Sequence, residues 1–301
     1  MSGKYKSLLR GTTSAEEALL IEGDSLKALK LLAADSVQCV VTSPPYWGLR
    51  DYGIEGQIGL EATLRKYLAR LQSVFAEVRR VLRPDGVMWL NIGDGYTSGN
   101  RARRAPDKKN PAREMDVRPE NPEGLKNKDL LGIPWRVAFA LQDVGWYLRS
   151  DVIWHKPNAM PESVKDRPTR CHEYLFLFSL SEHYFYDYDA ARVHTNGSWR
   201  NRRTVWSICT QPFPDAHFAT FPPELVEPCM KTGSRDGDVV LDPFMGSGTT
   251  GVVALRLGRH FLGIELHPDY VAMAAERLEL DGQAVSRLED TDGSFYPRPG
   301  A

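Results

Sequence analysis

The chain has 301 residues, of which 42% are hydrophobic and 26% are charged. This length and composition fit one large domain, alone or with insertions, and they exclude an intrinsically disordered chain. The formal net charge of −1 gives no overall attraction to a polyanion, so such a partner needs locally concentrated basic residues. Four cysteines occur, at positions 39, 171, 209 and 229. They show neither a close pair nor metal-ligand spacing, which argues against a disulfide framework and a zinc site.

Nothing in the sequence indicates a membrane protein. No apolar run approaches the roughly 18 residues that a membrane span needs. The first residues also lack the apolar region of a signal peptide. We therefore expect an intracellular, cytoplasmic protein with no membrane partner.

Apolar runs with strand character alternate with amphipathic helical segments along the chain. This alternation predicts an α/β fold with a largely parallel sheet. Strands are predicted at residues 18–22, 37–42, 87–92, 146–154, 174–180, 239–241 and 261–264. Helices are predicted at residues 60–82 and 129–144, from 221, from 250 to 257, and at 268–280. The strands at 146–154 and 174–180 are expected to form an antiparallel pair at a sheet edge.

Two segments lack this alternation. Residues 96–128 are rich in proline, asparagine, arginine and lysine, and residues 187–216 are also irregular. Structureless stretches of this length inside a compact domain are usually functional or disordered. We predict a single domain over residues 1–285 that contains both segments, followed by a loose tail at 286–301.

A glycine-rich segment, Asp242-Pro243-Phe244-Met245-Gly246-Ser247-Gly248-Thr249-Thr250, joins a predicted strand to a helix. Gly246 and Gly248 allow a ligand to approach the backbone, and the helix start offers free N–H groups. Glu265 ends the next strand, 19 residues after Gly246, where a carboxylate can accept both hydroxyls of a ribose. A tight turn without a ligand is the alternative, which this strand–turn–helix–strand–acid order disfavours. Because no lysine follows the glycines, the segment is not a Walker-type phosphate loop, and it predicts a nucleoside site.

A second unusual segment, Thr42-Ser43-Pro44-Pro45-Tyr46-Trp47, also follows a predicted strand, at the edge where open α/β sheets bind ligands. The locked φ of proline holds the backbone carbonyls in a fixed direction. A carbonyl and the Ser43 oxygen can accept hydrogen bonds from an amine. Tyr46 offers a flat face for stacking on an extruded base, and Trp47 is expected to extend that wall. The alternative is a rigid turn over a packed aromatic, which the nearby nucleoside site disfavours.

Together the two segments resemble the DNA amino-methyltransferases of the β class. In that family a Ser/Asp/Asn-Pro-Pro-Tyr loop comes first and binds the target amine, and a Phe-x-Gly-x-Gly loop near the C-terminus binds S-adenosylmethionine. Phe244-Met245-Gly246-Ser247-Gly248 matches the second loop, and recognisable stretches run from about residue 21 to 280. The resemblance implies S-adenosylmethionine as the cofactor. It also implies a circularly permuted Rossmann-like methyltransferase fold with one reversed strand.

The resemblance also implies roles for individual residues. The catalytic loop is formed by Ser43, Pro44, Pro45, Tyr46 and Trp47. Asp24 is implied to lie near the adenine, and Phe221 begins the helix that closes over the methionine end. The other implied cofactor contacts are Asp242, Phe244, Gly246, Gly248, Thr249 and Glu265. No metal is implied.

The implied reaction is site-specific methyl transfer to the exocyclic amine of a flipped base in duplex DNA. In the family, serine at the head of the catalytic loop is associated with N4-cytosine and aspartate with N6-adenine, so Ser43 favours cytosine. Adenine stays open, as do, more distantly, RNA or protein-glutamine methylation and an inactive DNA-binding homologue. Pro228-Cys229 has the form used in carbon-5 cytosine methylation. However, it lies inside a predicted helix ahead of the cofactor loop, where a buried cysteine is usually only a small apolar residue.

Double-stranded DNA must be held by local basic groups. The expected contacts are Arg101, Arg103, Arg104, Lys108, Lys109, Arg200, Arg202 and Arg203. Charge runs are often only solvated loops, but phosphate contact is favoured next to a methyltransferase site. Because the target-recognition stretch expected at 187–216 is short for this family, the insert 96–128 is expected to share in recognising the target. A cognate restriction endonuclease and a homodimer stay open as partners of a bacterial, archaeal or phage-encoded protein.

Overall fold

The computed structural model describes residues 17–97, 119–195, 197–211, 221–282, 284–291 and 294–297. A ten-stranded sheet runs through the middle of this part of the chain, and helices cover both of its faces. None of the helices in these residues is both long and apolar enough to cross a membrane.

The sheet is mostly parallel, as the alternation of strands and helices predicts. Its strands and those of a small second sheet are β1 Glu17–Glu22, β2 Val37–Thr42, β3 Leu82–Ile92, β4 Tyr147–His155, β5 His172–Ser179, β6 Arg192–Thr195, β7 Ser198–Asn201, β8 Val205–Ser207, β9 Val239–Asp242, β10 His260–Glu265, β11 Ala284–Thr291 and β12 Ser294–Pro297. The large sheet has the order β12-β11-β1-β10-β9-β2-β3-β5-β4-β8. Within it, β5 and β12 run against their neighbours, and β6 pairs with β7 in the second sheet.

Two helical layers enclose the large sheet. The helices are α1 Ser25–Leu31, α2 Leu64–Val81, α3 Ile133–Asp143, α4 Pro223–Gly233, α5 Thr249–Arg256 and α6 Pro268–Leu280. Helices α1, α2 and α3 pack on one face, and α4, α5 and α6 pack on the other. Helix α2 begins later than residue 60, because the Thr63 side chain accepts a hydrogen bond from the backbone N–H of Lys66 and caps the helix there.

The C-terminal tail corrects one prediction. Residues 286–301 are expected to be loose, yet β11 pairs in parallel with β1, and β12 pairs antiparallel with β11. Strand β11 is polar in sequence, but Leu288 packs against the core. An edge strand needs only backbone hydrogen bonds and a few apolar contacts, so hydropathy alone did not reveal it.

The antiparallel pair of strands is confirmed, although it does not form the outer edge of the sheet. Strand β5 lies between β3 and β4, and β8 pairs in parallel with the far side of β4. The described part of segment 187–216 therefore contributes β6, β7 and β8, where the sequence indicated irregular structure. These strands are three or four residues long, which is too short for a clear alternating pattern.

The chain segments at the two ends of the insert pair with each other, Gly95–Thr97 with Asp129–Leu131, and this pair is called the neck of the insert. Residues 98–118, which include Arg101, Arg103, Arg104, Lys108 and Lys109, lie outside the described residues. On either side of them, Leu131 N donates to Gly95 O at 2.9 Å, and Thr97 N donates to Asp129 O at 2.9 Å. Tyr96 and Leu130 complete this antiparallel contact. The two ends of the insert at residues 96–128 are therefore held side by side.

A buried carboxylate joins the carboxyl ends of the adjacent strands β2 and β9. Asp242 is 1% exposed, and its Oδ1 accepts from Thr42 Oγ1 at 2.7 Å and from Phe244 N at 3.0 Å. Its Oδ2 accepts from Thr250 Oγ1 at 2.8 Å. Burial raises the pKa of Asp242 to about 6, against the hydrogen bonds that lower it. One side chain thus fixes where both strands end.

The Thr42 hydroxyl is expected to stabilise the fold through Asp242. Thr42→Val keeps the shape of the side chain and removes this hydrogen bond to a buried acceptor, which costs about 1–2 kcal/mol. The free energy of unfolding in urea measures the loss. Ser73→Ala is the control, because Ser73 bonds to Ala69 O on an exposed helix face, and its cost should stay within about 0.5 kcal/mol. Equal losses in the two variants would contradict the structural role of Asp242.

Candidate active site

The two predicted loops lie next to each other at the carboxyl edge of the sheet. They follow β2 and β9, which are neighbours, and β10 and β1 continue the row. Met245 N donates to Ile264 O at 2.9 Å, and Gly23 N donates to Glu265 O at 2.8 Å. Ser25 Oγ donates to Pro243 O at 2.6 Å. The sheet order therefore brings together segments that lie about 200 residues apart.

Glycine is required in the loop after β9 for two reasons. Gly246 and Gly248 have φ of 53° and 76°, a region that residues with a Cβ rarely adopt. A Cβ on Gly248 would also lie 3.0 Å from the Cβ of Ala274 on α6. The Thr249 hydroxyl accepts from Arg277 Nη1 at 3.0 Å, so it helps to anchor the loop to α6.

Glu265 faces the glycine loop across a short gap. Its Oε2 accepts from Gly246 N at 2.9 Å, and its Oε1 accepts from His267 N at 2.9 Å. Burial raises the pKa of Glu265 to about 6, although these two N–H groups lower it. Each carboxylate oxygen keeps acceptor capacity beyond these bonds, which suits a ligand that carries two adjacent hydroxyls.

The segment after Trp47 covers the same end of the site. The Tyr52 ring meets the Tyr270 ring edge-on at 6.1 Å, and His267 stacks on Tyr270 at 4.4 Å. Burial raises the pKa of the Tyr52 hydroxyl, the cation of Arg50 opposes this shift, and the Glu265 carboxylate adds to it. This aromatic cluster therefore joins the segment that follows the catalytic loop to the residues that follow Glu265.

The remaining predicted cofactor residues lie around the same loops. The Asp24 carboxylate accepts from Lys27 N at 3.0 Å and so caps α1. The Phe244 ring packs edge-on against Phe75 with centroids 6.4 Å apart. Phe221, which is partly buried, directly precedes Pro222 at the start of α4. Asp242 supports the loops from within, as described above.

Two hydrogen bonds to neighbouring parts of the protein hold the catalytic loop in place. Tyr67 on α2 donates its hydroxyl to Pro45 O at 2.9 Å, and the Trp47 indole donates to Glu61 O at 2.8 Å. Trp47 is 6% exposed and belongs to the core. Its ring therefore anchors the loop, which differs from the expected extension of the stacking wall. Burial of so large an apolar ring outweighs exposure at the site.

Tyr46 is held by a carboxylate from a distant strand. The Tyr46 hydroxyl donates to Glu173 Oε2 at 2.8 Å and lies 3.4 Å from Ser43 Oγ. Burial and then the Glu173 charge raise the pKa of Tyr46 well above its ordinary value. Burial alone would raise the pKa of Glu173, but the Lys156 ammonium and several hydrogen bonds outweigh it and lower that pKa. Glu173 is therefore ionised and Tyr46 is neutral.

Sequence reasoning missed Glu173 as a member of the site, where it pairs with Lys156. Lys156 Nζ lies 2.5 Å from Glu173 Oε1, and it also lies 4.1 Å from the centroid of the Trp154 ring. Glu173 is 127 residues from Tyr46 in sequence. The pairing of His155 with His172 in the register of β4 and β5 brings the pair to the site, and no local motif encodes it.

The predicted DNA contacts differ in their surroundings. Arg200 on β7 and Arg203 are exposed, and Arg200 Nε donates to Ser198 Oγ at 3.2 Å. Arg202 instead lies over the Trp206 ring, with its Cζ 5.0 Å from the centroid. Arg202 therefore packs against the protein, and Arg200 and Arg203 face solvent.

This arrangement has counterparts among known proteins. The N6/N4 family described as DNA methylase matches residues 37–276. The type II methyltransferase M.XycI of Xanthomonas campestris pv. cyanopsidis is 63% identical over 282 residues, covering 93% of this chain and 92% of that protein. The solved PvuII DNA methyltransferase (cytosine-N4-specific) is 25% identical with a TM-score of 0.66, covering 88% of this chain and 87% of that one. TTHA0409 of Thermus thermophilus, solved with S-adenosyl-L-methionine, is 26% identical with a TM-score of 0.65, covering 91% of this chain and 99% of that one.

These findings confirm the fold and the cofactor that the two loops indicate. The glycine backbone after β9 and the Glu265 carboxylate fit a nucleoside, which agrees with S-adenosylmethionine as the cofactor. Across the fold, the catalytic loop precedes the cofactor loop, and β5 is a reversed strand in an otherwise parallel region. The chain therefore belongs to the N6/N4 DNA methylase family and is an S-adenosylmethionine-dependent DNA methyltransferase.

Proposed function

We propose that this methyltransferase modifies the N4 amine of a cytosine in a specific sequence of double-stranded DNA. The observation that carries the proposal is Ser43 at the head of the catalytic loop, beside the cofactor loop. The specificity of the similar PvuII enzyme for cytosine N4 supports the same base. Adenine N6 is the alternative, because both bases present an amine beside a ring nitrogen.

The catalytic loop offers acceptors to this amine. Tyr67 already donates to Pro45 O, so we assign the amine to Ser43 Oγ and the Pro44 carbonyl. Acceptors on both N–H bonds turn the nitrogen lone pair toward the cofactor. Alignment of this kind, rather than a strong base, can supply several kcal/mol of barrier reduction. The Tyr46 ring is expected to stack on the flipped base.

The cofactor half supplies binding and orientation. When bound, S-adenosylmethionine would supply an electrophilic methyl group on a cationic sulfur, and the residues of this half would hold that group against the target amine. We assign Glu265 to the ribose hydroxyls, Asp24 to the adenine end, and Phe221 to the methionine end. Gly246, Gly248, Thr249 and Phe244 shape the loop between them, and Asp242 positions that loop.

DNA is held by basic groups outside these loops. We assign phosphate contacts to Arg200 and Arg203 and to the insert, whose neck lies beside the catalytic loop. Residues 187–216 and 96–128 then share target recognition within one catalytic domain. The type II class of M.XycI supports a cognate restriction endonuclease as a functional partner, and either a monomer or a homodimer is compatible with this proposal.

The base is tested by expressing the protein and analysing host DNA by nucleoside mass spectrometry. N4-methylcytosine is expected, and long-read sequencing of the same DNA gives the recognition site.

Ser43→Ala should lower methyl transfer on the order of 100-fold, because the amine loses a positioned partner. Ser73→Ala, on an exposed helix face, should retain full activity. DNA that contains only N6-methyladenine would overturn the assignment to cytosine.

Glu265 predicts a pH-dependent affinity for the cofactor. The ionised carboxylate is the better acceptor for ribose hydroxyls, and its pKa is about 6. The affinity for S-adenosylmethionine should therefore fall about tenfold for each pH unit below that value. Calorimetric titration between pH 5 and 8 measures this slope.

Glu265→Gln should weaken cofactor binding and remove most of this pH dependence. Glu276→Gln, an exposed position on α6, should leave both the affinity and the slope unchanged. Asp242 also has a pKa of about 6 and ends β9, the strand next to the one that Glu265 ends. A slope that persists in Glu265→Gln would therefore assign the titration to Asp242 and remove Glu265 from the ribose contact.

The two exposed arginines should make separate contributions to DNA affinity. Each phosphate contact contributes about 0.9 to the slope of log affinity against log salt, so Arg200→Ala and Arg203→Ala should each reduce the slope by about that amount. Arg202→Ala should leave the slope unchanged, because Arg202 packs on Trp206. Arg149→Ala, near the opposite end of β4, is the matched control. Unchanged slopes for Arg200 and Arg203 would exclude their phosphate contacts.

A further inference from the structure

A buried ion pair lies directly beside the catalytic loop. Lys156 Nζ and Glu173 Oε1 are 2.5 Å apart, and both side chains are only 16% exposed. Burying two charges is costly unless geometry and further hydrogen bonds compensate. Glu173 gains such a bond from Tyr46. An ion pair at this position therefore has a direct contact with a residue of the site.

The charge on Glu173 fixes the direction of its bond with Tyr46. An ionised carboxylate has no proton and can only accept, and the Lys156 ammonium keeps the pKa of Glu173 below its ordinary value despite burial. The Tyr46 hydroxyl must therefore donate across the 2.8 Å that separates it from Glu173 Oε2. Its single proton is committed to this bond.

The Tyr46 oxygen is then left with acceptor positions only. Two donors face it: the Ser43 hydroxyl at 3.4 Å and the backbone N–H of Gly93. A hydroxyl oxygen has two lone pairs, so both donors can be accommodated. The proton of Ser43 is directed toward Tyr46, and the lone pairs of Ser43 Oγ remain for another donor.

Resting on the proposed function, we infer that Glu173 is a positioning residue that sets the hydrogen-bond direction of the chain from Ser43 through Tyr46 to Glu173. Ser43 thereby presents lone pairs, and not its proton, to the N–H groups of the target amine. Without the carboxylate, the Ser43 proton can rotate toward the amine, where a donor would face a donor.

Gly93 packs closely against this chain of hydrogen bonds. A Cβ on Gly93 would lie 2.8 Å from Tyr46 Cε2 and 3.2 Å from the Glu173 carboxyl carbon. Contacts below 3.0 Å force the neighbouring atoms to move. The bare backbone of Gly93 therefore allows the ring, the carboxylate and the N–H group to meet at one point.

A double-mutant cycle between Glu173→Gln and Tyr46→Phe tests the inference. The amide of glutamine can donate to Tyr46 and reverse the chain, and phenylalanine removes its middle member. Each single variant should lower the single-turnover rate of methyl transfer to DNA on the order of 10-fold to 100-fold. The double variant should lose little more than the slower single variant, because both changes break the same chain. Dissociation constants for DNA and S-adenosylmethionine should change less than about threefold, since the chain acts on the reacting amine.

Glu227→Gln is the matched control, because Glu227 forms a Glu–Lys pair of 2.5 Å with Lys231 on α4, outside the site. It should leave the rate unchanged. If Glu173→Gln unfolds the protein, Lys156→Met is added to it so that no unpaired ammonium remains, and the same cycle is run against Tyr46→Phe. Thermal unfolding monitors the folded state of each variant.

Three outcomes overturn the inference. If the rate losses of the two single variants multiply in the double variant, Glu173 acts independently of the Tyr46 hydroxyl. An unchanged rate in Glu173→Gln would remove its role altogether. A wild-type protein that transfers no methyl group to DNA would overturn the proposed function as well. A product carrying N6-methyladenine would change only the base, because an adenine amine presents the same N–H donors and the cycle measures total methyl transfer.

Discussion

The hydrogen bonds of Asp242 are the constraint on which the site depends. Its carboxylate accepts a hydrogen bond from the Thr42 hydroxyl at the end of β2. It also accepts hydrogen bonds from Phe244 N and the Thr250 hydroxyl, both in the cofactor loop. Burial makes these bonds strong and makes an unmade bond costly. The catalytic loop begins directly after Thr42, so its starting point relative to the cofactor loop is set by this one side chain.

The two halves of the site differ in which groups stabilise the negative charge of their buried carboxylates. Asp242 and Glu265 are stabilised by neutral hydrogen-bond donors, and burial raises their pKa to about 6. Glu173, in the catalytic half, is paired with the Lys156 ammonium, and its pKa is lowered. Neutral N–H and O–H donors thus stabilise the carboxylates of the cofactor half, whereas a cation stabilises the carboxylate of the catalytic half.

Local chemistry made much of this structure predictable. The glycine loop, the Pro44-Pro45 turn and helix α6, whose observed bounds equal those predicted, are each encoded within a few residues. Glu173 and the edge strand β11 could not be found in this way, because each depends on a strand partner far away in sequence. Trp47 shows a further limit, since sequence places an aromatic in the loop but does not tell which way its ring packs.

The described residues that flank the basic insert lie beside the catalytic loop. Thr97 and Pro119, the described residues on either side of the basic part of the insert, line a small cavity of about 30 Å³ together with Trp47 and Gly48. A Cβ on Gly48 would lie 3.2 Å from Pro119 Cγ, so Pro119 packs against the residue that directly follows the catalytic loop. Trp47 is in turn held by its hydrogen bond to Glu61 O. The catalytic loop and the described flanks of the insert therefore adjoin one another.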